Sequence, residues 1–162
     1  MPGWGCITAV WEEGKLLNLS FTGGTPLAPP EAPLSLPEDR REEFLVEVER
    51  QVGAYLRGEL HRLELPYVLP AQPAFCRKLW LEALAIPYGQ VISYGSLAAR
   101  AGNPLAARAA GYAMSINQLF LIVPCHRVIA SGGKLGGYGG RPDLKARLLT
   151  LEGLRVEEGR VL

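Results

Sequence analysis

Residues 6–21, CITAVWEEGKLLNLSF, carry their apolar side chains two positions apart on both sides of a polar centre. Ile7, Ala9 and Trp11 alternate with smaller or polar neighbours, and Leu17, Leu19 and Phe21 do the same on the return. A period of two puts alternate side chains on one face of a strand, so the segment predicts two strands around an EEGK turn. In residues 39–57, DRREEFLVEVERQVGAYLR, the period becomes helical. Phe44, Leu45, Val48, Val52 and Leu56 recur at that spacing, and Gly58 is placed to close the helix. Residues 23–37, between the two, are rich in glycine and proline and read as a loop. Residues 62–73, RLELPYVLPAQP, are extended and lead into a linker. The pattern predicts one domain over 1–72 and a second over 73–162.

The second half opens with an amphipathic segment, AFCRKLWLEALAIP (74–87), stopped near Pro87. Phe75, Leu79, Ala83 and Ile86 share a helical face, with Trp80 beside it. Leu81 and Leu84 widen the apolar surface, which predicts a helix buried on more than one side. After the short extended piece 88–93, Ser93 is an N-cap for a helix over 94–101. Gly102–Pro104 is a turn, with Asn103 as N-cap and Pro104 as first residue of a helix over 104–116. Two short helices joined this way form a helix-turn-helix candidate, or an αα-hairpin that only packs a core. The second helix is poor in bulky residues: Ala106, Ala107, Ala109, Ala110, Gly111 and Ala113. Such a helix can approach another surface closely, whether a nucleic acid or a neighbouring helix. Arg108 is its one strong base-edge or phosphate reader. Residues 119–124 are a buried strand or extended run, and 125–140 are turn-rich with hairpin character. A last helix over 141–153 starts at Pro142–Asp143 and is closed by Gly153.

The 162 residues, 48% hydrophobic and 20% charged, suit one domain or two small ones with a real core. No apolar run reaches the roughly 18 residues of a membrane span. The first residues lack the basic start and apolar core of a signal peptide, so a cytoplasmic location is expected. The net charge of +1 hides an asymmetry. Residues 1–75 hold 11 acidic and 6 basic side chains, a net of −5, and residues 76–162 hold 5 acidic and 11 basic, a net of +6. A basic half on a nearly neutral chain points to a polyanion partner for that half. Cys6, Cys76 and Cys125 are far apart, which argues against a disulfide framework. Only Cys125 and His126 are close, and that is not the spacing of a zinc site, so no metal is expected. Cys125, in LIVPCHRVI (121–129), is left as a nucleophile or an inert buried thiol.

The stretch IPYGQVISYGSLAARAGNPLAARAAGYAMSINQLFLIVPCHRVI resembles the O6-alkylguanine-DNA alkyltransferase family, the methylated-DNA–protein-cysteine methyltransferases. The resemblance spans residues 74–153 and includes PCHRVI, the helix-turn-helix, the GGYGG loop and the LEG after the last helix. It implies an α/β (α+β) fold: a small ribonuclease-H-like N-terminal domain, with an antiparallel sheet and a helix, and a mostly helical C-terminal domain. It also implies a DNA repair protein, acting as a monomer on double-stranded DNA without a cofactor. Such a protein moves an alkyl group from O6 of guanine, and less readily from O4 of thymine, onto its own cysteine, once per molecule. By this resemblance Cys125 is the alkyl acceptor, in a Cys–water–His–Glu relay with His126 and Glu152. Tyr138 donates to the departing O6, helped by the Gly139 amide. Asn117 bridges backbone groups near Cys125, and the Val128 and Cys125 carbonyls accept from the guanine 2-amino group. Arg108 fills the space left by the flipped base, Tyr94 crowds the 3′ phosphate, and Ala107, Ala109 and Gly111 enter the minor groove.

The chain departs from the family pattern in places. Tyr112 stands where glycine is frequent, Ser115 and Ile116 where basic or small residues are, Gln118 where proline is usual, and Gly139 where serine or alanine is. These changes bear on groove contact and pocket width. A second reading is a non-transferring binder of alkylated guanine that hands lesions to excision-repair proteins, though such relatives lack the cysteine. A third is a plain helix-turn-helix regulator, which would carry more base-reading side chains than Arg108.

Overall fold

A computed structural model of the chain describes residues 4–22 and 38–162, with side chains over 4–21 and 42–162. The glycine- and proline-rich stretch 23–37 lies outside the described residues. The chain divides into two compact units, Met1–Pro70 with Gln118–Phe120, and Ala71–Asn117 with Leu121–Leu162.

In the first unit, β1 (Cys6–Glu12) and β2 (Lys15–Thr22) form an antiparallel hairpin. Its two-residue turn places Glu13 and Gly14 at φ 48° and 73°, the left-handed pair that matches the strand twist. The register shifts between Val10 and Trp11, so Trp11 faces Leu16. This bulge moves the buried phase. Leu16, outside the expected alternation, is fully buried with Leu19, whereas Leu17 and Phe21 are half-buried. The free edge of β2 is taken by two short segments. Leu16 exchanges backbone bonds with Pro66 and Val68, and Leu19 with Gln118 and Phe120. That pairing is why Gln118–Phe120, expected with the second domain, group with the first unit. The helix α1 (Glu38–Leu56) buries Val48, Val52, Tyr55 and Leu56, while Leu45 of the expected face is 38% exposed. Gly58, at φ 75°, closes it.

The second unit is built on three helices, α2 (Ala74–Leu84), α3 (Tyr94–Arg100) and α4 (Ala107–Ser115). Leu79, Trp80 and Ala83 of α2, Leu97 and Ala98 of α3, and Ala110, Ala113 and Met114 of α4 are buried. The Trp80 indole donates to the Ala113 carbonyl at 2.9 Å, which satisfies its polar edge inside the core. Leu81 is 53% exposed, so α2 is buried on one side rather than several. Ser93 caps α3 as expected, its hydroxyl accepting from the Ser96 amide. The next helix starts later than expected. Asn103 Oδ1 accepts from the Leu105 amide, and the Asn103 carbonyl accepts from Ala106. An asparagine bonding two residues ahead makes a turn of its own, so Pro104 stays in the turn and α4 begins at Ala107.

A parallel pair, β3 (Ile92–Ser93) and β4 (Val128–Ile129), ties the entry of α3 to the cysteine run. The last helix, α5 (Pro142–Leu151), has proline at its first position and closes at Gly153, φ 86°, with the Leu154 amide on Leu149. A terminal hairpin follows, β5 (Val156–Glu157) and β6 (Arg160–Val161), again turning on a left-handed pair, Glu158 and Gly159. The architecture is α+β. Among the described residues no helix is long and apolar enough to cross a membrane.

Candidate active site

All nine residues of 121–129 are buried, although they include a cysteine, a histidine and an arginine. The backbone there bends three times in seven residues. Leu121 sits at φ 67°, a left-handed conformation that costs a side-chain-bearing residue about 1 kcal/mol. Pro124, at φ −79° and ψ 62°, centres an inverse γ-turn, closed by the Cys125 amide on the Val123 carbonyl at 2.8 Å. One 3₁₀ turn, Cys125–Arg127, then leads into β4. Proline's fixed φ suits the γ-turn, and after it Cys125 meets Asn117 while His126 and Arg127 both reach Glu152.

Asn117 follows α4 directly and is buried. Its Nδ2 donates to the Val123 carbonyl at 3.0 Å and to Cys125 Sγ at 3.1 Å. The resemblance implied a backbone bridge, and the structure adds a direct bond to the sulfur. Burial pushes the Cys125 thiol above its ordinary value, and this outweighs the opposing groups. Those groups are the Asn117 amide, then the Lys145 charge, a backbone bond and the Tyr138 hydroxyl. The resting group is therefore a thiol, poised among donors that would welcome a thiolate.

His126 is fully buried, with Nε2 2.6 Å from Glu152 Oε1. Burial lowers its pKa, against the bond and charge of Glu152, so the imidazole rests neutral at pH 7. Glu152 lies at the C-terminal cap of α5, its side chain fully buried. It also accepts from Arg127 Nε at 2.9 Å and Nη2 at 3.0 Å, and from the Gly89 amide at 2.9 Å. Arg127 in turn donates from Nη1 to the Ile86 carbonyl at 2.8 Å and lies 5.7 Å from the Tyr88 ring centre. Gly89, at φ 73°, comes so close that a Cβ would stand 3.0 Å from the Glu152 carbonyl oxygen. One buried carboxylate thus ties the histidine, the arginine and the turn after α2 together.

Tyr138 is buried, its ring edge-on to His126 at 6.4 Å between centres. Lys145 of α5 is fully buried, and its Nζ donates to the Val128 carbonyl at 2.6 Å. Burial lowers its pKa to about 8, with the Cys125 charge opposing. Tyr94 is half-buried, 5.8 Å from Lys145 Nζ, and packs so tightly on Gly136 that a Cβ there would lie 3.1 Å from the ring. Its phenol is raised by burial and next by Cys125. The Val128 and Cys125 carbonyls each already accept one bond, from Lys145 and from the Val128 amide, which leaves each a second lone pair. Gly139 is exposed, at φ 54°.

The structure thus gathers Cys125, His126, Glu152, Tyr138, Asn117, Val128 and Tyr94 into one network. It sets the residues of α4 apart from it. Arg108 and Ala109 are exposed and Ala107 and Gly111 half-buried, whereas Ala110 and Ala113 face the core. The small residues therefore serve two faces, close helix packing on one and an open surface on the other. Sequence reasoning missed Lys145, Arg127 and Gly89. Lys145 had a legible signal, because it breaks the apolar stripe of Leu144, Leu148 and Leu149 and lies seven residues before Glu152, on the same helical face.

The family model described as 6-O-methylguanine DNA methyltransferase, DNA binding domain, matches residues 74–154. A methylated-DNA–protein-cysteine methyltransferase of Methanosarcina acetivorans is 45% identical over 112 residues, 69% of this chain and 71% of that protein. The crystal structure of the Mycobacterium tuberculosis O6-methylguanine methyltransferase covers 96% of this chain and 91% of its own, at 34% identity and a TM-score of 0.74. The same organism's enzyme in complex with DNA matches 91% of this chain and 86% of its own, at 34% identity and a TM-score of 0.74. A buried cysteine bonded to an asparagine, beside a histidine paired with a buried glutamate, thus stands within a sequence related along most of its length to these enzymes, and this protein belongs to the methylated-DNA–protein-cysteine methyltransferase family.

Proposed function

We propose that this protein repairs duplex DNA by moving the alkyl group of O6-alkylguanine irreversibly onto Cys125, once per molecule. The observation that carries this reading is the Cys125 environment: a buried thiol held by Asn117, with a neutral histidine pinned by a buried carboxylate next to it in the chain. With Glu152 paired to Arg127, the proton of His126 belongs on Nε2, and Nδ1 is the basic nitrogen. His126 then takes the thiol proton through one bridging water, in the pattern of nucleophile, base and orienter. The sulfur attacks the alkyl carbon as the carbon–O6 bond breaks. The Tyr138 hydroxyl gives a proton to O6, and the proton held by His126 makes good that loss. The proton leaving the thiol is thus balanced by the one the guanine gains, and a thioether remains.

Cys125 is 3% exposed, so a base stacked in a duplex cannot reach it. The nucleotide must be flipped out, and Arg108, exposed on α4, is the group to fill the gap. The relative solved in complex with DNA supports DNA as the partner.

The test is the intact mass of the protein after incubation with a duplex carrying one O6-methylguanine. A gain of one methylene, mapped to Cys125 and lost in Cys125→Ser while binding is kept, is expected. Tight binding of the same duplex with no mass change would instead identify a damage binder that leaves its cysteine unused.

A further inference from the structure

The exposed face of α4 consists of Arg108, Ala109, Tyr112 and Ser115, and the opposite face, Ala110, Ala113 and Met114, is buried. Tyr112 is 64% exposed, so its ring stands in solvent on a surface otherwise made of small side chains and one arginine. It follows Arg108 by four residues, one helical turn, so the two project from the same face about 6 Å apart along the axis. The glycine between them, Gly111, has nothing within 4 Å of where a Cβ would lie. Glycine is a costlier helix residue than alanine. The protein's own packing does not ask for it, so the free space beside Tyr112 faces outward.

We propose that Tyr112 is a second groove-contacting residue. On the repair reading above, its ring stacks against a base pair about two steps from the flipped nucleotide and helps hold the minor groove open around α4. Two steps of the duplex span about 7 Å, close to the axial offset of one helical turn. Base faces accept an aromatic ring whatever the sequence, which suits a protein that must act at any lesion. Apolar wedges at base steps open the minor groove in the same manner. Arg108 and Tyr112 thus form two pins, with Ala109, Gly111 and Ser115 letting the helix between them settle into the groove.

The experiment compares second-order rates on a duplex carrying O6-methylguanine with rates on free O6-benzylguanine, for the parent protein, Tyr112→Ala and Tyr112→Phe. Tyr112→Ala is expected to slow the duplex reaction on the order of tenfold and to leave the free-base reaction within about twofold, because stacking is lost and the pocket is not. Tyr112→Phe keeps the ring and keeps the duplex rate. In a Cys125→Ser background, 2-aminopurine placed two steps from the lesion brightens on binding when residue 112 is aromatic and stays dim with alanine. A Tyr112→Ala protein as fast as the parent or faster on the duplex, or slowed equally on both substrates, overturns the proposal. A parent inert on both substrates overturns the alkyl-transfer reading and this inference with it.

Discussion

Cys125, the proposed nucleophile, rests as a protonated thiol. Burial holds the thiol neutral, and the groups that oppose burial are arranged around the sulfur rather than adjacent in sequence: Asn117, Lys145 and Tyr138. Lys145 is the one among them that carries charge. Its burial lowers the pKa from an ordinary 10.5 to about 8, which costs the fold about 3 kcal/mol below pH 8. The unfolded chain holds that proton to higher pH, so this cost is relieved as pH rises from about 8 towards 10.5. Lys145→Met removes the charge that favours the thiolate. Thiol alkylation by iodoacetamide at pH 7 should then slow, on the order of tenfold, with its pH profile displaced upward. Above about pH 8 the parent loses the same charge, and the two rates should converge. An unchanged profile would remove Lys145 from the activation of the thiol.

At the scale of elements, one carboxylate at the end of α5 fixes the 3₁₀ turn and the loop after α2. Glu152 receives Arg127, His126 and Gly89, and Arg127 reaches on to the Ile86 carbonyl. Breaking such a buried pair leaves an uncompensated charge, so Arg127→Met should cost about 3–5 kcal/mol of stability, read as a lower urea midpoint. It should also raise the His126 pKa, because the Arg127 charge holds it down. A chemical-shift titration of the His126 ring would show this. A variant of parental stability would mean that solvent reaches Glu152. The helices were legible because long amphipathic runs report their own period, as in α1 and α2. The start of α4 was not, because Asn103 can cap a helix or make its own turn, and only the packed chain chooses. The terminal hairpin was missed although EEGR repeats the EEGK signal of the first turn, since its strands are two residues long and show no alternation.

At the scale of the molecule, charge separates the chain into an acidic first half and a basic second half, and the match to the DNA-binding domain of the family falls on the basic one. Arg77, Lys78, Arg100 and Arg108 are all exposed on α2–α4. If each neutralises one phosphate, log affinity for duplex DNA should fall against log salt with a slope of about −4. Fluorescence anisotropy between low and moderate salt checks this. A flat dependence would mean that these cations do not face the backbone.

The sequence by itself determined the elements whose information is local: the first hairpin and its turn, α1, α2, the capped α3, and the proline-to-glycine limits of α5. It also determined the family, because PCHRVI, GGYGG and LEG are contiguous strings. Tertiary structure decided which polar groups share a buried space. Asn117 on the sulfur, Lys145 on the Val128 carbonyl, and Arg127 with Gly89 on Glu152 bring together residues from 8 to 63 positions apart. No local period encodes such meetings. They exist because a buried charge or donor must find a partner, and the packed chain alone settles which one is within reach.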